Sequence, residues 1–324
     1  MEYYSGENLR NKKDLQNKKP KFLISVGGRS TGKTVDWNSF VLNEFIKNKK
    51  QFILFYRYKY EITNIAERFF KSIDFRFDGT MTDKNTENLG FSYLYYNDEP
   101  CGFAVAINSA NNIKKFSALF ENVEFIIFDE FIPEDGRYCP DEIKKFTSLY
   151  ISIARGKGKT IRENLQIIMI ANLDTNDNLY FHQMKIRKTN KDTRFQRGNG
   201  WICEFVENKE VAAIQKEDPV IQLFDTGYIT GEKTNDDLTN VEKIVGGLPM
   251  YDLEINGTIV GVWASLGNIY LNEQLTNKNV YCYNRFNSSE YPYNDSAKRM
   301  ILSHLEKGRL KFTNLHIKNI FFNN

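Results

Sequence analysis

Residues 27–34 of this chain read Gly-Gly-Arg-Ser-Thr-Gly-Lys-Thr and satisfy the phosphate-binding pattern GxxxxGK[ST] at every fixed position. Glycines let a backbone wrap around phosphate oxygens with several N–H groups pointing inward. An apolar run, Phe22 to Val26, precedes this phosphate-binding loop, and apolar residues at helical spacing follow it over residues 33–48. The strand–loop–helix context predicts a site for a nucleoside triphosphate.

Each position of the phosphate-binding loop has a predicted role. The residues expected to surround the phosphates are Gly27, Gly28, Arg29, Ser30, Thr31, Gly32, Lys33 and Thr34. Lys33 is expected to reach the β- and γ-phosphates, and the Thr34 hydroxyl is expected to coordinate Mg²⁺. The predicted substrate is therefore a nucleotide bound together with Mg²⁺.

A second apolar run, residues 123–128, ends in the acids Asp129 and Glu130. An apolar strand that ends in two acids downstream of a phosphate-binding loop is typical of nucleotide hydrolysis. Asp129 is expected to hold the metal beside Thr34. Glu130 is placed to polarise the attacking water as a general base.

Two polar residues flank the next predicted strand, residues 165–171. Asn172 follows it and is interpreted as a γ-phosphate sensor or a water-positioning group, with a simple strand-end turn former as the alternative. Arg155 precedes it and could serve as an arginine finger that reaches a neighbouring subunit's nucleotide. A solvated surface arginine, or Lys157 as the trans-acting residue, stays open.

The order of the predicted strands favours ATP over GTP. Phe103 to Ile107 and Phe52 to Tyr56 lie in the chain between the loop's strand and the acidic strand. An inserted strand and a catalytic glutamate are similar to the additional-strand, catalytic-glutamate division of P-loop ATPases. Residues 11–14, Asn-Lys-Lys-Asp, match the guanine-reading NKxD pattern, but they precede the loop, so we interpret this match as chance.

Strands that alternate with helices predict an α/β fold, a parallel sheet with helices on both faces, for residues 1–195. Residues 1–20 are polar and basic and are interpreted as a mobile or irregular arm. Residues 196–245 suit a linker subdomain. Residues 246–324 predict a small α+β domain, because Asn256-Gly257 is a favoured hairpin turn between two apolar runs. A length of 324 residues agrees with more than one domain.

The net charge is only +3, so contacts with nucleic acid must come from local patches. Lys114 and Lys115, in a predicted loop, and the basic stretch 185–197 are candidates for DNA contact, although a solvated surface is an equal alternative. The four cysteines lack metal-binding spacing. No apolar run is long enough to span a membrane, so we expect a soluble intracellular protein.

Several segments together resemble the DNA-packaging ATPase of small tailed phages with protein-capped linear genomes, the phi29-like group. The segments that carry the resemblance are residues 27–34, 51–53, 57–59, 127–132, 256–257, 261–263 and 276–281. A generic P-loop protein would share the first motifs but not the last cluster.

This resemblance implies an ATP-driven motor that moves double-stranded DNA into an empty capsid. It implies a homopentameric ring docked on the capsid portal in the host cytoplasm. Whether a structural RNA joins the ring stays open. It implies that the C-terminal domain is similar to an RNase H-type nuclease that has lost its catalytic acids. By position, Lys59 corresponds to a lysine that acts across the subunit interface, and Arg155 to the trans-acting arginine, although extra residues separate Arg155 from the following strand.

Two alternatives stay open: another DNA-translocating or helicase-type P-loop ATPase, and a terminase with an active nuclease domain. The nuclease alternative rests on Asp252 and Glu254, which alternate along a predicted strand. A metal-dependent nuclease needs three or more converging acids, and the sequence indicates no third one. The two acids are therefore interpreted as exposed strand residues.

Overall fold

The computed structural model describes residues 4–86, 89–134, 137–156, 158–173, 178–186, 193–224, 240–255, 257–283 and 289–322. The chain forms two compact units, which are Met1–Asp174 with Asp192–Lys233, and Thr175–Lys191 with Thr234–Asn324. Each unit contains its own sheet and its own apolar core.

The strands of the first unit form one large sheet. These strands are β1 (Phe22–Gly27), β2 (Gln51–Tyr56), β3 (Met81–Asn85), β4 (Phe91–Tyr96), β5 (Glu99–Ala106), β6 (Val123–Asp129), β7 (Gln166–Asn172), β8 (Phe195–Gly198) and β9 (Trp201–Val206). Their order across the sheet is β3-β4-β5-β2-β6-β7-β1-β9-β8. The strands from β5 to β9 in this order pair in parallel, whereas β3, β4 and β8 are antiparallel to their neighbours.

Helices connect the strands. The α-helices are α1 (Glu7–Arg10), α2 (Lys33–Asn48), α3 (Ile65–Lys71), α4 (Ala110–Ile113), α5 (Glu142–Ala154), α6 (Leu179–Met184), α7 (Lys209–Glu217), α8 (Pro219–Phe224), α9 (Asp295–Glu306) and α10 (Leu315–Phe322). Short 3₁₀ helices span Lys59–Ile62, Asp74–Arg76, Ile107–Ser109 and Lys114–Phe120. Of the α-helices, α6, α9 and α10 belong to the second unit.

Both faces of the large sheet are covered, which confirms the predicted α/β fold. On one face, Trp37 of α2 belongs to the same buried cluster as Phe52 and Phe69. The rings of Phe52 and Phe69 stack with their centroids 5.3 Å apart. On the other face, Phe146 of α5 packs against Phe128 at 6.1 Å. Burial on both sides explains why β2, β6 and β7 are nearly continuous apolar runs. Each such side chain contributes roughly 1.5–3 kcal/mol.

The strand inserted next to the loop's strand is β7. It lies between β1 and β6, with Gly27 opposite Asn172 and Asp129 opposite Ile170. The sequence interpretation assigned the insertion to Phe103–Ile107, but that segment falls mainly in β5, which lies beyond β2. The prediction was wrong because it inferred the position of the strand in the sheet from its position in the chain, and crossover connections change the order of parallel strands in a sheet.

The linker predicted for residues 196–245 begins differently in the structure. β9 pairs in parallel with β1, with Phe22 opposite Trp201, and β8 forms the adjacent edge. The close approach of β9 also explains Gly27, because a Cβ there would lie 2.1 Å from the Val206 carbonyl oxygen. The large sheet therefore extends past the predicted domain boundary at residue 195. Residues 225–239 of the predicted linker lie outside the described residues.

The predicted mobile arm is packed over its described part, residues 4–20. Leu9 is fully buried in the core of the first unit. The Asp14 carboxylate accepts hydrogen bonds from the backbone N–H groups of Gln16, Lys18 and Gly200 at 2.8–2.9 Å. Asp14 therefore orders a turn, which is a structural role for the residue that completed the NKxD match.

The second unit contains a smaller sheet with the order β13-β10-β11-β12-β14. Its strands are β10 (Leu248–Ile255), β11 (Thr258–Ser265), β12 (Asn268–Asn272), β13 (Val280–Cys282) and β14 (Leu310–Phe312). The predicted hairpin is present, since Ile255 pairs with Thr258 and Gly257 has a φ of 77°. Asn256, the other residue of that turn, lies outside the described residues.

Candidate nucleotide-hydrolysis site

A cavity of about 510 Å³ lies at the carboxyl edge of the parallel strands in the first unit. Residues 30–35 line it together with Asp129, Glu130 and the end of β7, residues 170–172. In open α/β sheets, ligands bind at this edge. The volume is within the range of small-molecule sites, about 300–1,000 Å³. Seven of the ten loop and acid residues predicted to act on the nucleotide therefore line the same cavity as Asn172: Ser30, Thr31, Gly32, Lys33, Thr34, Asp129 and Glu130.

The phosphate-binding loop turns sharply between β1 and α2. Ser30 and Gly32 both have positive φ values, 59° and 91°. Gly32 is the N-cap of α2 and has no side chain that could occupy the first N–H groups of the helix, so these donors face the cavity. The Lys33 ammonium donates to the Gly28 carbonyl at 2.6 Å and to the Thr31 hydroxyl at 3.1 Å. Burial lowers the pKa of Lys33 to about 8.

Thr34 and Asp129 bring two oxygen ligands together from α2 and β6. The Thr34 hydroxyl donates to the Asp129 carboxylate at 2.9 Å. Asp129 is partly exposed. Desolvation of its carboxylate by the surrounding protein nevertheless raises the pKa of Asp129 to about 6. The hydrogen bond from Thr34 lowers this pKa but does not outweigh the desolvation. Mg²⁺ takes oxygen ligands and usually keeps waters and substrate phosphates in its shell, so this pair fits the ion.

Glu130 stands at the turn that ends β6. Its φ is 53°, a left-handed conformation that costs a non-glycine residue about 1–2 kcal/mol. Its backbone N–H donates to the Asp129 carboxylate at 2.9 Å, and its own side chain is exposed. Strained backbone of this kind clusters at active sites. An exposed carboxylate beside a metal ligand can accept a proton from a water in the cavity.

Arg57 holds this turn in place, and we did not predict a role for it. Its guanidinium donates to the carbonyl oxygens of Glu130 at 2.8 Å and Phe131 at 2.6 Å. It also forms a two-point ion pair with Glu142 at 3.0 and 3.1 Å, and both side chains are buried. The local sequence signal was a lone arginine directly after the apolar run of β2, within the segment 57–59 that carries part of the family resemblance.

Several predicted residues are not among those that line the cavity. Arg29 pairs with Glu134 at 2.5 Å, with both side chains nearly half exposed. Lys59 begins the 3₁₀ helix that follows β2, and it is exposed. Arg155 directly follows α5 and is also exposed, whereas Lys157 lies outside the described residues. The exposed positions of Lys59 and Arg155 leave both side chains accessible to other molecules.

The candidate DNA contacts differ from the prediction in their local structure. Lys114 and Lys115 are exposed, but they begin the 3₁₀ helix Lys114–Phe120 rather than a loop. The basic stretch 185–197 is divided between the two units. Within it, Arg194 is paired with Glu204 at 3.1 Å. Arg187, Lys188 and Lys191 lie outside the described residues.

The acids of the second unit are buried rather than exposed. Asp252 is 2% exposed and Glu254 is 8% exposed. The Asp252 carboxylate accepts from the Thr276 backbone N–H at 2.7 Å, and the Glu254 carboxylate accepts from the Gly257 N–H. Both acids therefore order neighbouring backbone. Across the described ranges, no group of three or more His, Cys, Asp or Glu residues is placed to hold a metal ion.

A membrane-spanning helix is also absent from the part of the chain that the structure describes: none of its helices has the required length and apolarity.

A known protein family matches nearly the whole chain. The family described as "Podovirus DNA encapsidation protein (Gp16)" matches residues 3–324. The DNA packaging protein of Bacillus phage phi29 is 25% identical over 317 residues, which cover 92% of this chain and 91% of that protein. Its counterpart from Bacillus phage B103 is 24% identical over 321 residues, with 91% and 93% covered.

A solved structure shows the same fold. The bacteriophage Phi-29 viral genome packaging motor assembly contains a chain that matches with a TM-score of 0.66 at 22% identity, and the match covers 99% of this chain and 98% of that one. The family match extends over nearly the whole length and includes the residues of the cavity. This chain belongs to the podovirus DNA encapsidation protein family.

Proposed function

We propose that this chain is the ATPase subunit of a phage motor that drives double-stranded DNA into an empty capsid through its portal. The observation that carries the proposal is the contact between Thr34 and Asp129 at 2.9 Å, with Glu130 in the same cavity, in a chain that matches a DNA-encapsidation family over residues 3–324. The DNA packaging protein of phage phi29 is a relative at 25% identity.

The proposed reaction is ATP and water to ADP and phosphate. Mg²⁺, held by Thr34 and Asp129, would neutralise charge on the phosphate oxygens. Lys33 exchanges its contact with the Gly28 carbonyl for the β- and γ-phosphates. Glu130 takes a proton from the attacking water, whose oxygen bonds to the γ-phosphorus as the bond to ADP breaks. Asn172 orients that water or the γ-phosphate.

We infer that the working form is a ring of identical subunits, a homopentamer, docked on the portal in the host cytoplasm. Arg155 and Lys59 are exposed and do not belong to the residues that line their own cavity, which suits groups that act on a neighbour's nucleotide. Lys114 and Lys115 would hold DNA phosphates without reading the sequence. The second unit corresponds to the nuclease-like domain without cleavage activity, and a structural RNA is a further partner.

The decisive experiment measures ATP turnover with and without double-stranded DNA and empty capsids, and follows packaging as DNA protected from nuclease. We expect Mg²⁺-dependent turnover that DNA and capsids stimulate together, and protected DNA only when ATP is present. Glu130→Gln should reduce turnover by about 10²–10⁴-fold, the usual contribution of a general base. Turnover that depends on DNA but is indifferent to capsids would instead indicate a helicase or another translocase.

The trans role of Arg155 has its own test. Arg155→Ala and Glu130→Gln subunits are each expected to be inactive. In mixed rings, an Arg155→Ala subunit keeps its own Glu130 and receives Arg155 from a Glu130→Gln neighbour, so part of the activity should return. Lys159→Ala, an exposed residue of the same turn, serves as the control and should behave as wild type. Mixed rings that stay inactive would exclude the trans assignment.

A further inference from the structure

A second cavity, of about 150 Å³, adjoins the hydrolysis cavity in the first unit. Thr34 and Asp129 line both cavities, so their hydrogen-bonded pair forms a wall common to the two. The end of β7 contributes to the hydrolysis cavity, whereas the end of β2, residues 54–56, contributes to the second cavity. Since β7 and β2 flank β6 on opposite sides, the second cavity lies on the β2 side of Asp129.

Asn38 of α2 also lines the second cavity. This residue is 7% exposed, and its amide forms no hydrogen bond with another residue in the described ranges. Asparagine is a poor helix former, because its amide competes for backbone hydrogen bonds, and it is seldom found at a buried position. Buried polar side chains almost always have a hydrogen-bond partner. The partner of Asn38 must therefore lie in the cavity that its side chain lines.

Tyr56 ends β2 and brings a further polar group to the second cavity. Its hydroxyl likewise has no hydrogen-bond partner among the residues that the structure describes. The Thr34 hydroxyl and the Asp129 carboxylate border the same space. A water molecule occupies about 30 Å³ in the liquid and needs two to four polar partners when it is buried. The second cavity meets both requirements for ordered water.

The position of Asn38 relative to Thr34 connects this cavity with the expected metal. Asn38 follows Thr34 by four positions in α2, so the two side chains lie on the same face of the helix, with Cβ atoms about 5–6 Å apart. A single water can bridge polar groups across such a gap. Mg²⁺ dehydrates reluctantly and keeps several waters beside its carboxylate and phosphate ligands. Water ligands of an ion held by Thr34 and Asp129 would therefore be within reach of Asn38.

We propose that Asn38 is a positioning residue for Mg²⁺, whose amide oxygen accepts a hydrogen bond from a water ligand of the ion in the second cavity. The Tyr56 hydroxyl is a further partner of the same water shell. The proposal rests on the proposed ATPase function, in which Thr34 and Asp129 hold the ion directly. Partners of this kind orient the ligands of a metal, and their loss typically weakens metal binding by about 10–100-fold.

The test measures metal affinity rather than turnover. Mn²⁺ takes the same oxygen ligands as Mg²⁺, and its free form is quantified by electron paramagnetic resonance. The full chain is mixed with a smaller amount of ADP, so that the nucleotide is bound, and Mn²⁺ is titrated to obtain its Kd. Asn38→Leu removes the amide at similar volume, and Asn38→Asp keeps an oxygen acceptor at the same position. Asn43→Leu is the matched control, since Asn43 is an exposed asparagine of α2 that lines neither cavity.

We expect the Kd of Mn²⁺ to rise by about 10–100-fold in Asn38→Leu. The Kd in Asn38→Asp should be no higher than in wild type, and Asn43→Leu should leave it unchanged. Without metal and nucleotide, the Tm of Asn38→Leu should equal or exceed that of wild type, because the lost amide has no protein partner in the described ranges and leucine is the better helix former.

An unchanged Kd in Asn38→Leu would overturn the proposal, and so would an equal rise in Asn38→Asp or in Asn43→Leu. A lower Tm of Asn38→Leu in the absence of ligands would assign Asn38 a structural role instead. These failures differ from a failure of the ATPase assignment. In that case the wild-type chain itself would bind no Mn²⁺ together with ADP, and the role of Asn38 would fall with it.

Discussion

The anchoring of the Glu130 turn by Arg57 leads to a quantitative prediction for Arg57→Lys. The guanidinium makes four charge-assisted hydrogen bonds, two to backbone carbonyls and two to Glu142. A lysine ammonium is a point donor that cannot reproduce the planar fork, so we expect at least two of the four to be lost. At about 1.5–3 kcal/mol for each bond to a charged group, folding stability should fall by about 3–6 kcal/mol.

Thermal unfolding measures this loss. A domain of this size shifts its Tm by about 2–4 °C per kcal/mol, so Arg57→Lys should unfold about 6–24 °C below wild type. Arg68→Lys is the matched control, because Arg68 also donates to two backbone carbonyls, those of Glu61 and Thr63, but from an exposed position. Its Tm should stay close to that of wild type, since exposed contacts of this kind contribute little.

Catalysis should fall as well, below the temperature at which the variant unfolds. Under the proposed mechanism, loss of the anchor on its carbonyl would displace Glu130 from the attacking water, and a displacement of about 1 Å can reduce the rate by about 100-fold. The KM for ATP should change little, because the phosphate contacts are intact. A Tm within 2–3 °C of wild type (less than about 1 kcal/mol), or an unchanged kcat, would refute the anchoring role.

Three further predictions concern packing, pH and thiol chemistry. Gly27→Ala should destabilise the chain by about 1–3 kcal/mol, because the alanine Cβ would lie 2.1 Å from the Val206 carbonyl oxygen. An unchanged Tm would contradict the close approach of β1 and β9 at this position. Backbone hydrogen bonds lower the pKa of Asp14, so the contribution of its carboxylate to folding stability is present at neutral pH and is lost as the pH falls through this lowered pKa. The free energy of unfolding of Asp14→Asn should therefore be lower than that of wild type at pH 7, and the difference should shrink in acid. A difference that does not change with pH would show that the carboxylate is irrelevant. Burial raises the pKa of the Cys139 thiol to about 11. Alkylation of this thiol at pH 7, measured by mass spectrometry, should therefore require unfolding. Rapid labelling of Cys139 in the native chain would contradict its burial.

The parts of the molecule that the sequence predicted share a physical property: their signal is local. In the loop at residues 27–34, geometry and chemistry are set by consecutive residues, so the pattern could be read directly. β2 and α2 carry enough apolar residues at regular spacing to be recognised. The positions of Asp129 and Glu130 at the end of a buried strand could be predicted because the two acids directly follow an apolar run.

The parts that were missed depend on partners distant in the chain. Arg57 is separated from Glu142 by 85 positions, and no local pattern connects them. β9 is a short strand in a polar region, and its place beside β1 is decided by burial against the sheet. The N-terminal segment is ordered by contacts with Thr31 and Asp36 that composition does not encode.

The order of strands in the large sheet also determines which strands lie at its edges and could pair with a second copy of the chain. Its outermost strands are β3, which carries Asp83 and Lys84, and β8, which has four residues, including Arg197. Short or charged edge strands discourage backbone pairing between molecules, a common route to aggregation and strand exchange. Copies gathered at one place would therefore associate through side chains and loops, and contacts of that kind can break and re-form without unfolding either partner.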